Sequence, residues 1–425
     1  MDDFKIVKVR ARELISDYWL PNLEVDILTK GGVLGRGASP SGTRPLENEA
    51  VYLRDGGRRY GGYGVLKAIR NINEVIAPKI IGMDVTEQKE IDELMIELDG
   101  TINKSNLGGN ATLSVSLAVA DAAAKSLRIP AYRYLGGREA STLPVPWVWL
   151  QAVEATGRRR TLSFQEHHVV PLGAESFTEA LRMSAEVHFA ATRIMGDKYG
   201  KPVVLGETTY YPAIIDEFEA LDRAMEAIEE VGYDDVFALA LDCAATHMYV
   251  PKRETYLISG KELNREDMIS FYKELTECYP IFALEDPLHQ NDFQGHAQLT
   301  REIDIQIVGD DLFVTNIKRL TKGIEMGAAN ALLLKPNQIG TLTEALTVGQ
   351  YAQKKGYNVV VSGRQGIDEE DLIPDIAVAI NAGQTKLGPL PSRRAKYNRL
   401  LRIEEELGER ARYLGRNLLH PSKHR

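Results

Sequence analysis

The sequence predicts an α/β protein built on a (β/α) barrel, with a smaller region of strands and helices before it. From about residue 144 onward, short apolar runs alternate with helical segments, and each run ends in a charged or polar residue. Continuous apolar runs are typical of parallel strands buried on both faces. Their number favours a barrel over an open doubly wound sheet, since no glycine-rich phosphate loop follows a first strand. The runs are residues 202–207, 237–242, 281–286, 305–311, 331–335 and 358–364.

The region before the barrel is expected to hold strands and then helices. Apolar and charged residues alternate over residues 23–27, which predicts a half-buried strand. Residues 35–45 are rich in Gly, Ser and Pro, and we expect a mobile surface loop that can act as a lid. Three helices are predicted near residues 66–77, 86–98 and 110–126. The third is rich in alanine, which indicates close packing.

Composition and charge exclude several classes of protein. The chain has 425 residues, of which 44% are hydrophobic and 26% charged, as in a globular protein with a large core. Its formal net charge of −9 argues against a general binder of nucleic acid or of anionic membranes. Neither a membrane span nor a signal peptide is predicted, because the apolar stretches are short and the start is acidic. Cys243 and Cys278 lie outside any CxxC motif, which argues against structural zinc and leaves a cytoplasmic enzyme as the expectation.

Three acidic residues end successive apolar runs, each one strand–helix repeat from the next. They are Asp242, Glu285 and Asp310. In a (β/α) barrel the carboxyl ends of the strands open on one face, so these carboxylates should converge and need a neutralising charge. Oxygen ligands without His or Cys suit a hard cation, above all Mg²⁺. The alternative is that each acid caps the following helix, which explains one such residue better than three.

The same face should also carry catalytic and anion-binding side chains. Lys335 ends an apolar run, and nearby cations would help it to lose its proton and act as a base. A structural lysine tied to a carboxylate is the alternative. Arg364 and Lys386 are natural anchors for the phosphate and carboxylate of a small anionic substrate. Glu166 and Glu207 come from earlier strands and could serve as a general acid, although a surface salt bridge explains either one equally well.

Several longer motifs occur in one order along the chain, at residues 98–105, 107–111, 115–118, 284–287, 308–311, 334–342 and 396–407. They resemble motifs of the enolase family, and the resemblance extends over essentially the whole chain. Several long matches in order are far more specific than a likeness of fold. The resemblance implies an enolase-like (β/α)8 barrel over residues 144–425 with a reversed early strand, and an α+β cap domain over residues 1–137. It also implies a homodimer or a higher homo-oligomer.

The resemblance assigns roles that agree with those inferred from strand ends. In this superfamily a Lys or His base works with one or two Mg²⁺ ions that stabilise an ene-diolate. The implied roles are Mg²⁺ binding for Asp242, Glu285 and Asp310, proton abstraction for Lys335, the acid side for Glu166 and Glu207, and substrate binding for Arg364 and Lys386. We add Gln165, Ser362 and Arg44 to the substrate-binding set.

The chain departs from the family pattern where the substrate would lie. The family's metal-binding Ser after Pro-Ser-Gly is absent, and Arg44 occupies that loop. The family's His-Arg-Ser triplet reads Gly-Arg-Gln over residues 363–365, and Arg158–Arg160 replaces a loop that carries a histidine. These arginines either add positive charge for a more anionic ligand or form a solvated loop. His167 and His168 follow the Gln-Glu pair and point to opposite faces of a strand, so only one can face the site.

Three functions remain open from the sequence. The first is a Mg²⁺ enzyme that removes the α-proton of a phosphorylated or phosphonylated three-carbon carboxylate, such as a carboxyphosphonoenolpyruvate synthase of phosphonate biosynthesis. The second is the family's own conversion of 2-phosphoglycerate into phosphoenolpyruvate and water. The third is a catalytically silent paralogue with a binding role. The altered loops favour the first, and the intact metal-and-lysine side argues against the third.

Overall fold

A nine-stranded sheet forms a barrel in the second part of the chain. The computed structural model describes residues 2–16, 19–42, 47–152, 162–201, 203–205, 208–210, 216–364 and 372–419. Apolar side chains such as those of Val170, Val308 and Val360 fill the interior of the barrel. Its strands are Val145–Pro146, Val148–Ala152, Glu166–Val170, Ala238–Asp242, Ile281–Glu285, Gln306–Gly309, Ala331–Leu334, Asn358–Ser362 and Gly383–Lys386.

The sheet closes because one stretch of chain pairs on both of its sides. Val145–Pro146 pairs in parallel with Gly383–Lys386, and Val148–Ala152 pairs with Glu166–Val170. Trp147, between the two short strands, donates its backbone N–H to a carbonyl of the last strand. When that stretch is counted as one strand, the nine strands become eight, the number typical of a closed (β/α) barrel. The predicted fold class is therefore confirmed.

One barrel strand runs against all the others. Glu166–Val170 is antiparallel to both of its neighbours, Val148–Ala152 and Ala238–Asp242, whereas the remaining pairs are parallel. The reversal implied by the family resemblance is thus confirmed. Because the strand is reversed, its first residue, Glu166, pairs with Asp242 at the carboxyl end of the neighbouring strand.

The apolar run at residues 202–207 was predicted to be a barrel strand, and this prediction is wrong. Val203–Leu205 instead pairs antiparallel with Thr208–Tyr210 in a separate two-stranded sheet. Leu205 pairs with Thr208, which leaves only two residues to connect the strands. Strands so close in sequence commonly pair as a hairpin, and the Thr-Thr-Tyr segment has the β-propensity to form the second strand.

Helices surround the barrel, and most of those described begin after a residue whose side chain satisfies one of their first N–H groups. Side-chain oxygens of Ser176, Asp216, Asn264, Asp292, Asn316 and Thr341 each accept a backbone N–H at a helix start. Such caps fix where each helix leaves its loop. The helices are Phe177–Tyr199, Glu217–Glu230, Arg265–Cys278, Phe293–Glu302, Ile317–Met326, Pro336–Ile339, Leu342–Lys354, Ile373–Ala379 and Leu390–Leu407.

The amino-terminal part of the chain is an antiparallel sheet of Ile6–Ile15, Pro21–Thr29 and Leu34–Ser39. The strand predicted at residues 23–27 is confirmed. The lid predicted at residues 35–45 is wrong for its first part, since Leu34–Ser39 is a strand, and residues 43–45 lie outside the described chain. Its glycines have a packing reason, because a Cβ on Gly37 would lie 2.3 Å from the backbone nitrogen of Ala118 in the adjacent helix.

Helices cover this sheet largely where they are predicted. The first region is Leu66–Asn71, which continues through the π turn Ile72–Ile76 into Ala77–Ile80. The second is Gln88–Asp99, and the third is the alanine-rich helix Gly109–Leu127. Most of the third helix is buried, and small side chains let it approach the glycine-containing strand closely. The close packing indicated by its alanines is confirmed.

Short elements complete the described chain. Among its helices, none combines the length and the hydropathy that a membrane crossing requires. The short strands are Thr142–Leu143 with Arg412–Tyr413, and the three-stranded sheet Tyr249–Val250, Thr255–Ile258 and Lys261–Leu263. The short helices are Asp2–Phe4, Arg59–Gly62, Ala131–Gly136, Gly137–Glu139, Ala245–His247, Gly408–Arg410 and Gly415–Leu419.

Gly37→Ala is expected to destabilise the fold by about 1–3 kcal/mol, because the added methyl group meets helix backbone that cannot move away cheaply. Thermal unfolding of the purified variant measures the effect. Gly196→Ala is the matched control, since nothing lies within 4 Å of its new Cβ and alanine favours a helix. Equal melting temperatures for Gly37→Ala and the parent chain would contradict the close approach.

Candidate active site

Lys386 lies at the centre of a group of carboxylates at the carboxyl ends of the strands. Its Nζ is 2.6 Å from Oδ2 of Asp242, 2.7 Å from Oε2 of Glu285 and 3.0 Å from Oε2 of Glu166. Asp242 pairs in register with both Glu285 and Glu166 on its neighbouring strands. The three carboxylates are therefore brought together by the strand register, and the lysine reaches them from a strand that adjoins none of theirs.

A second lysine pairs with the third predicted metal ligand. Nζ of Lys335 lies 2.5 Å from Oδ2 of Asp310. The other oxygen of Asp310 accepts from Nε2 of Gln338 at 2.7 Å. Thr315 fixes both partners, since its hydroxyl oxygen accepts the backbone N–H of Lys335 and its O–H donates to Oε1 of Gln338. The sequence motif that contains Gln338 was recognised, but this role was missed.

The charges at the site strongly affect its pKa values. Burial alone would lower the pKa of Lys386, but Asp242 and Glu166 outweigh burial and raise it well above the usual value. Burial and the charge of Asp242 raise the pKa of Glu285. Burial would likewise lower the pKa of Lys335, yet Asp310 raises it. Arg364 and Lys386 lower the pKa of Lys335, as expected of nearby cations, but its ion pair with Asp310 is the stronger influence.

Asp286 is a buried acid whose role the sequence analysis missed, although it stands next to Glu285. Its carboxylate accepts backbone N–H groups from Asp310, Asp311 and Leu312, at 3.1, 2.7 and 3.3 Å. It thus holds the turn that carries Asp310. Burial and the charge of Asp311 raise the pKa of Asp286 well above its usual value. Burial, with the charge of Asp310, raises the pKa of Asp311 to about 8.

Arg364 lies beside this group and forms an ion pair with Glu49 of the amino-terminal part. The side chain of Glu49 is completely buried, and that of Arg364 is 20% exposed. Glu49 also accepts from Nε2 of Gln338 at 3.3 Å. Sequence reasoning missed Glu49, because nothing in its local pattern shows that it reaches the barrel.

His167 and His168 are both buried and, as predicted, lie on opposite faces of their strand. Nε2 of His167 is 2.9 Å from Glu217 of a surrounding helix. His168 faces the interior beside Trp147, and its Nε2 lies 3.2 Å from Oε2 of Glu166. Burial lowers the pKa of His168, which favours the neutral imidazole near the site.

The remaining predicted residues are placed less centrally or lie outside the described chain. Nε2 of Gln165 is 3.4 Å from Oδ2 of Asp242, at the edge of hydrogen-bond distance. The hydroxyl group of Ser362 donates to the backbone carbonyl of Lys386 at 2.8 Å, so its O–H is used within the barrel. The predicted residues outside the described segments are Arg44, Arg158–Arg160, Glu207 and Gln365.

Comparison with protein families agrees with the architecture of the site. The family model described as Enolase, C-terminal TIM barrel domain, matches residues 140–422. The model described as Enolase, N-terminal domain, matches residues 6–135. Together they span most of the chain. The chain belongs to the enolase family.

Relatives named Enolase align with the chain over nearly its whole length. The one from Methanopyrus kandleri is 52% identical and covers 97% of this chain and 98% of its own. Those from Methanocaldococcus jannaschii and Pyrococcus furiosus are 49% and 50% identical, over 99% and 97% of this chain and 100% and 97% of their own. The chain is therefore an enzyme of the carbon–oxygen lyase type. These relatives favour enolase itself and give no support to a divergent phosphonate synthase.

The carboxylates fit the Mg²⁺ on which enolases generally depend. Oxygen donors on neighbouring strand ends are what a hard divalent cation prefers. Oε1 of Glu285 is buried and has no hydrogen-bond partner in the described chain, so this lone acceptor points to a missing positive partner. Ligand oxygens of Glu285, Asp286 and Asp310 lie within 4.8 Å of one another. Asp242 is the remaining ligand that the sequence predicts, and Lys386 holds it beside Glu285.

Lys386→Met is expected to destabilise the metal-free protein by about 3–5 kcal/mol, because it leaves buried carboxylates without their shared cation. Thermal unfolding in the presence of a chelator measures the loss. Lys125→Met is the control, since it breaks a solvent-exposed pair with Asp121 and should change stability by about 0.5 kcal/mol or less. Similar melting temperatures for the two variants would refute the central role of Lys386.

Proposed function

We propose that the chain converts 2-phosphoglycerate into phosphoenolpyruvate and water in a Mg²⁺-dependent reaction. The proposal rests on one observation. Lys335 and Asp310 lie with the Asp242–Glu285 pair at the end of the barrel formed by the carboxyl ends of its strands, which we call the barrel mouth. The chain that holds them is about half identical to proteins named Enolase. A lysine, a set of carboxylates and a cationic anchor suit the removal of a proton next to a carboxylate.

Lys335 acts as the base in this proposal. It takes the α-proton of the substrate, and the ammonium group that forms is stabilised by Asp310 at 2.5 Å. Thr315 and Gln338 hold the lysine backbone and the aspartate, so the geometry of the pair is set before substrate binds. Asp242, Glu285 and Asp310 hold Mg²⁺, which when bound stabilises negative charge on the substrate carboxylate.

Glu166 and Glu207 form the acid side. A proton delivered there allows the β-hydroxyl group to leave as water, so the proton lost to Lys335 and the hydroxyl lost from carbon give phosphoenolpyruvate. Glu166 is buried at the barrel mouth beside Asp242, which supports this assignment. Glu207 comes from the family resemblance alone.

Arg364 and Lys386 bind the phosphate and the carboxylate of the substrate. Nε of Arg364 is buried and has no hydrogen-bond partner in the described chain, which leaves a donor for a phosphate oxygen. Gln165, Ser362 and Arg44 complete the proposed substrate-binding set. The cap domain over residues 1–137, the barrel domain over residues 144–425, a homo-oligomer and a cytoplasmic location stay predictions from the sequence.

The first test is to add 2-phosphoglycerate and Mg²⁺ and to follow the ultraviolet absorbance of phosphoenolpyruvate. We expect turnover that stops when a chelator removes the metal. Binding of Mg²⁺ without turnover would reject the proposal and turn attention to phosphonate analogues of the substrate.

The role of Lys335 is checked in the same reaction run in deuterium oxide. Lys335→Ala should stop exchange of the substrate α-proton while 2-phosphoglycerate still binds. Lys318→Ala, a change on the barrel's outer helices, is the control and should leave exchange intact. Exchange that survives in Lys335→Ala would assign the base to another residue.

The metal assignment predicts that Mg²⁺ raises the melting temperature of the parent chain, because a ligand that binds only the folded state stabilises it. Asp310→Asn should remove most of that rise. Asp304→Asn, a change at an exposed acid just before the same strand, should retain it. The assignment fails if the parent shows no rise, or if both variants keep it.

A further inference from the structure

Glu49 links the amino-terminal part of the chain to the barrel mouth. The next residue, Ala50, donates its backbone N–H to the carbonyl of Gln338 at 2.8 Å. Val51 is in turn bound to the carbonyl of Asn103 at 2.7 Å. The backbone on the carboxyl side of Glu49 is thus tied to both parts of the molecule, which fixes the direction from which its side chain enters the site.

The two oxygens of the Glu49 carboxylate have different surroundings. Oε1 contacts both Nη2 of Arg364 and Nε2 of Gln338, whereas Oε2 is buried and has no hydrogen-bond partner in the described chain. Arginine–carboxylate pairs are frequently bidentate, with two parallel N–H···O bonds. Here the contact involves one edge of the guanidinium group, and its Nε donor stays open.

Gln338 extends this contact to the proposed base. Its Nε2 donates to Oδ1 of Asp310 at 2.7 Å as well as to Glu49, and Asp310 pairs with Lys335. One amide group therefore lies between the carboxylate from the amino-terminal part and the ion pair on the barrel. Because the contact of Gln338 with Asp310 is the shorter of the two, Asp310 keeps its amide partner when Glu49 is replaced.

We propose that Glu49 is a positioning residue for the reaction: it holds the guanidinium group of Arg364 in the orientation that binds the substrate phosphate. The inference rests on the proposed function, since it takes Arg364 as the phosphate anchor. The phosphate does not react, so contacts with it are equally strong in the bound substrate and in the transition state. Loss of the orientation should therefore raise KM and leave kcat nearly unchanged.

A second ion pair between the same two parts provides a matched comparison. Nζ of Lys104 lies 2.7 Å from Oε1 of Glu344, and the lysine side chain is 3% exposed. Glu344 stands at the start of the helix Leu342–Lys354 and has no contact with Arg364 among the interactions of the described chain. Breaking this pair weakens the attachment of the two parts without touching the anchor.

The test compares Glu49→Met, Glu49→Gln and Glu344→Met in the 2-phosphoglycerate assay. We expect Glu49→Met to raise KM by about 10-fold or more, with kcat within about 3-fold of the parent value. Glu49→Gln keeps an acceptor oxygen for the guanidinium group and should restore KM to within about 3-fold. Glu344→Met should lower the melting temperature while KM stays at the parent value.

Several outcomes would overturn the inference. An unchanged KM in Glu49→Met would remove the positioning role, and a lower KM would mean that Glu49 merely neutralises Arg364. Equal increases in KM for Glu49→Met and Glu344→Met would assign the effect to attachment of the two parts. If the parent chain shows no turnover, the proposed function fails, and calorimetric binding of 2-phosphoglycerate then tests Glu49 separately: weaker binding in Glu49→Met supports the role and equal binding rejects it.

Discussion

The barrel mouth depends on the balance between buried carboxylates and the lysines that neutralise them. Strand register brings Asp242, Glu285 and Glu166 together, and desolvated like charges at such distances would repel strongly without a counter-charge. Lys386 meets all three, and Lys335 meets Asp310. A divalent cation suits the same group of carboxylates, because it adds positive charge where burial raises the pKa of Glu285. The same charged side chains therefore determine the stability of the barrel mouth and the chemistry proposed for it.

The amino-terminal part of the chain takes part in the same balance. Its contacts with the barrel include polar ones that are largely shielded from solvent: Asp92 accepts the backbone N–H and the hydroxyl group of Thr343, and Lys104 pairs with Glu344. Glu49 forms an ion pair with Arg364, the proposed anion anchor. Buried polar contacts are costly when a partner is missing, so they define one relative placement of the two parts better than apolar packing would. The anchor at the barrel mouth consequently depends on how the amino-terminal part is seated.

Sequence reasoning was most successful where a local pattern has a single structural meaning. Apolar runs that end in an acid or a lysine predicted the strand ends, because a strand buried on both faces must be apolar and its end must be polar. It failed at Val203–Leu205, where an apolar run forms a hairpin strand, and at Gly35 and Gly37, where glycine reflects helix contact instead of a loop. The Glu49–Arg364 contact could not be predicted, since it joins residues distant in the chain by tertiary packing alone.

The order of strands around the barrel gives a physical reason for dividing the proposed roles as they are. Glu166 stands at the carboxyl ends of the other strands only because its own strand is reversed, and the strands that end at the carboxylates proposed to bind metal lie between it and Lys335. In the other direction around the barrel, Glu166 and Lys335 are also separated by strands. These include Asn358–Ser362, which precedes Arg364, and Gly383–Lys386. The proposed acid and the proposed base therefore lie on opposite sides of the barrel mouth. A proton taken on one face and a hydroxyl group lost from the other face is the geometry that this arrangement favours, with the anion anchors and the carboxylates closing the two remaining sides.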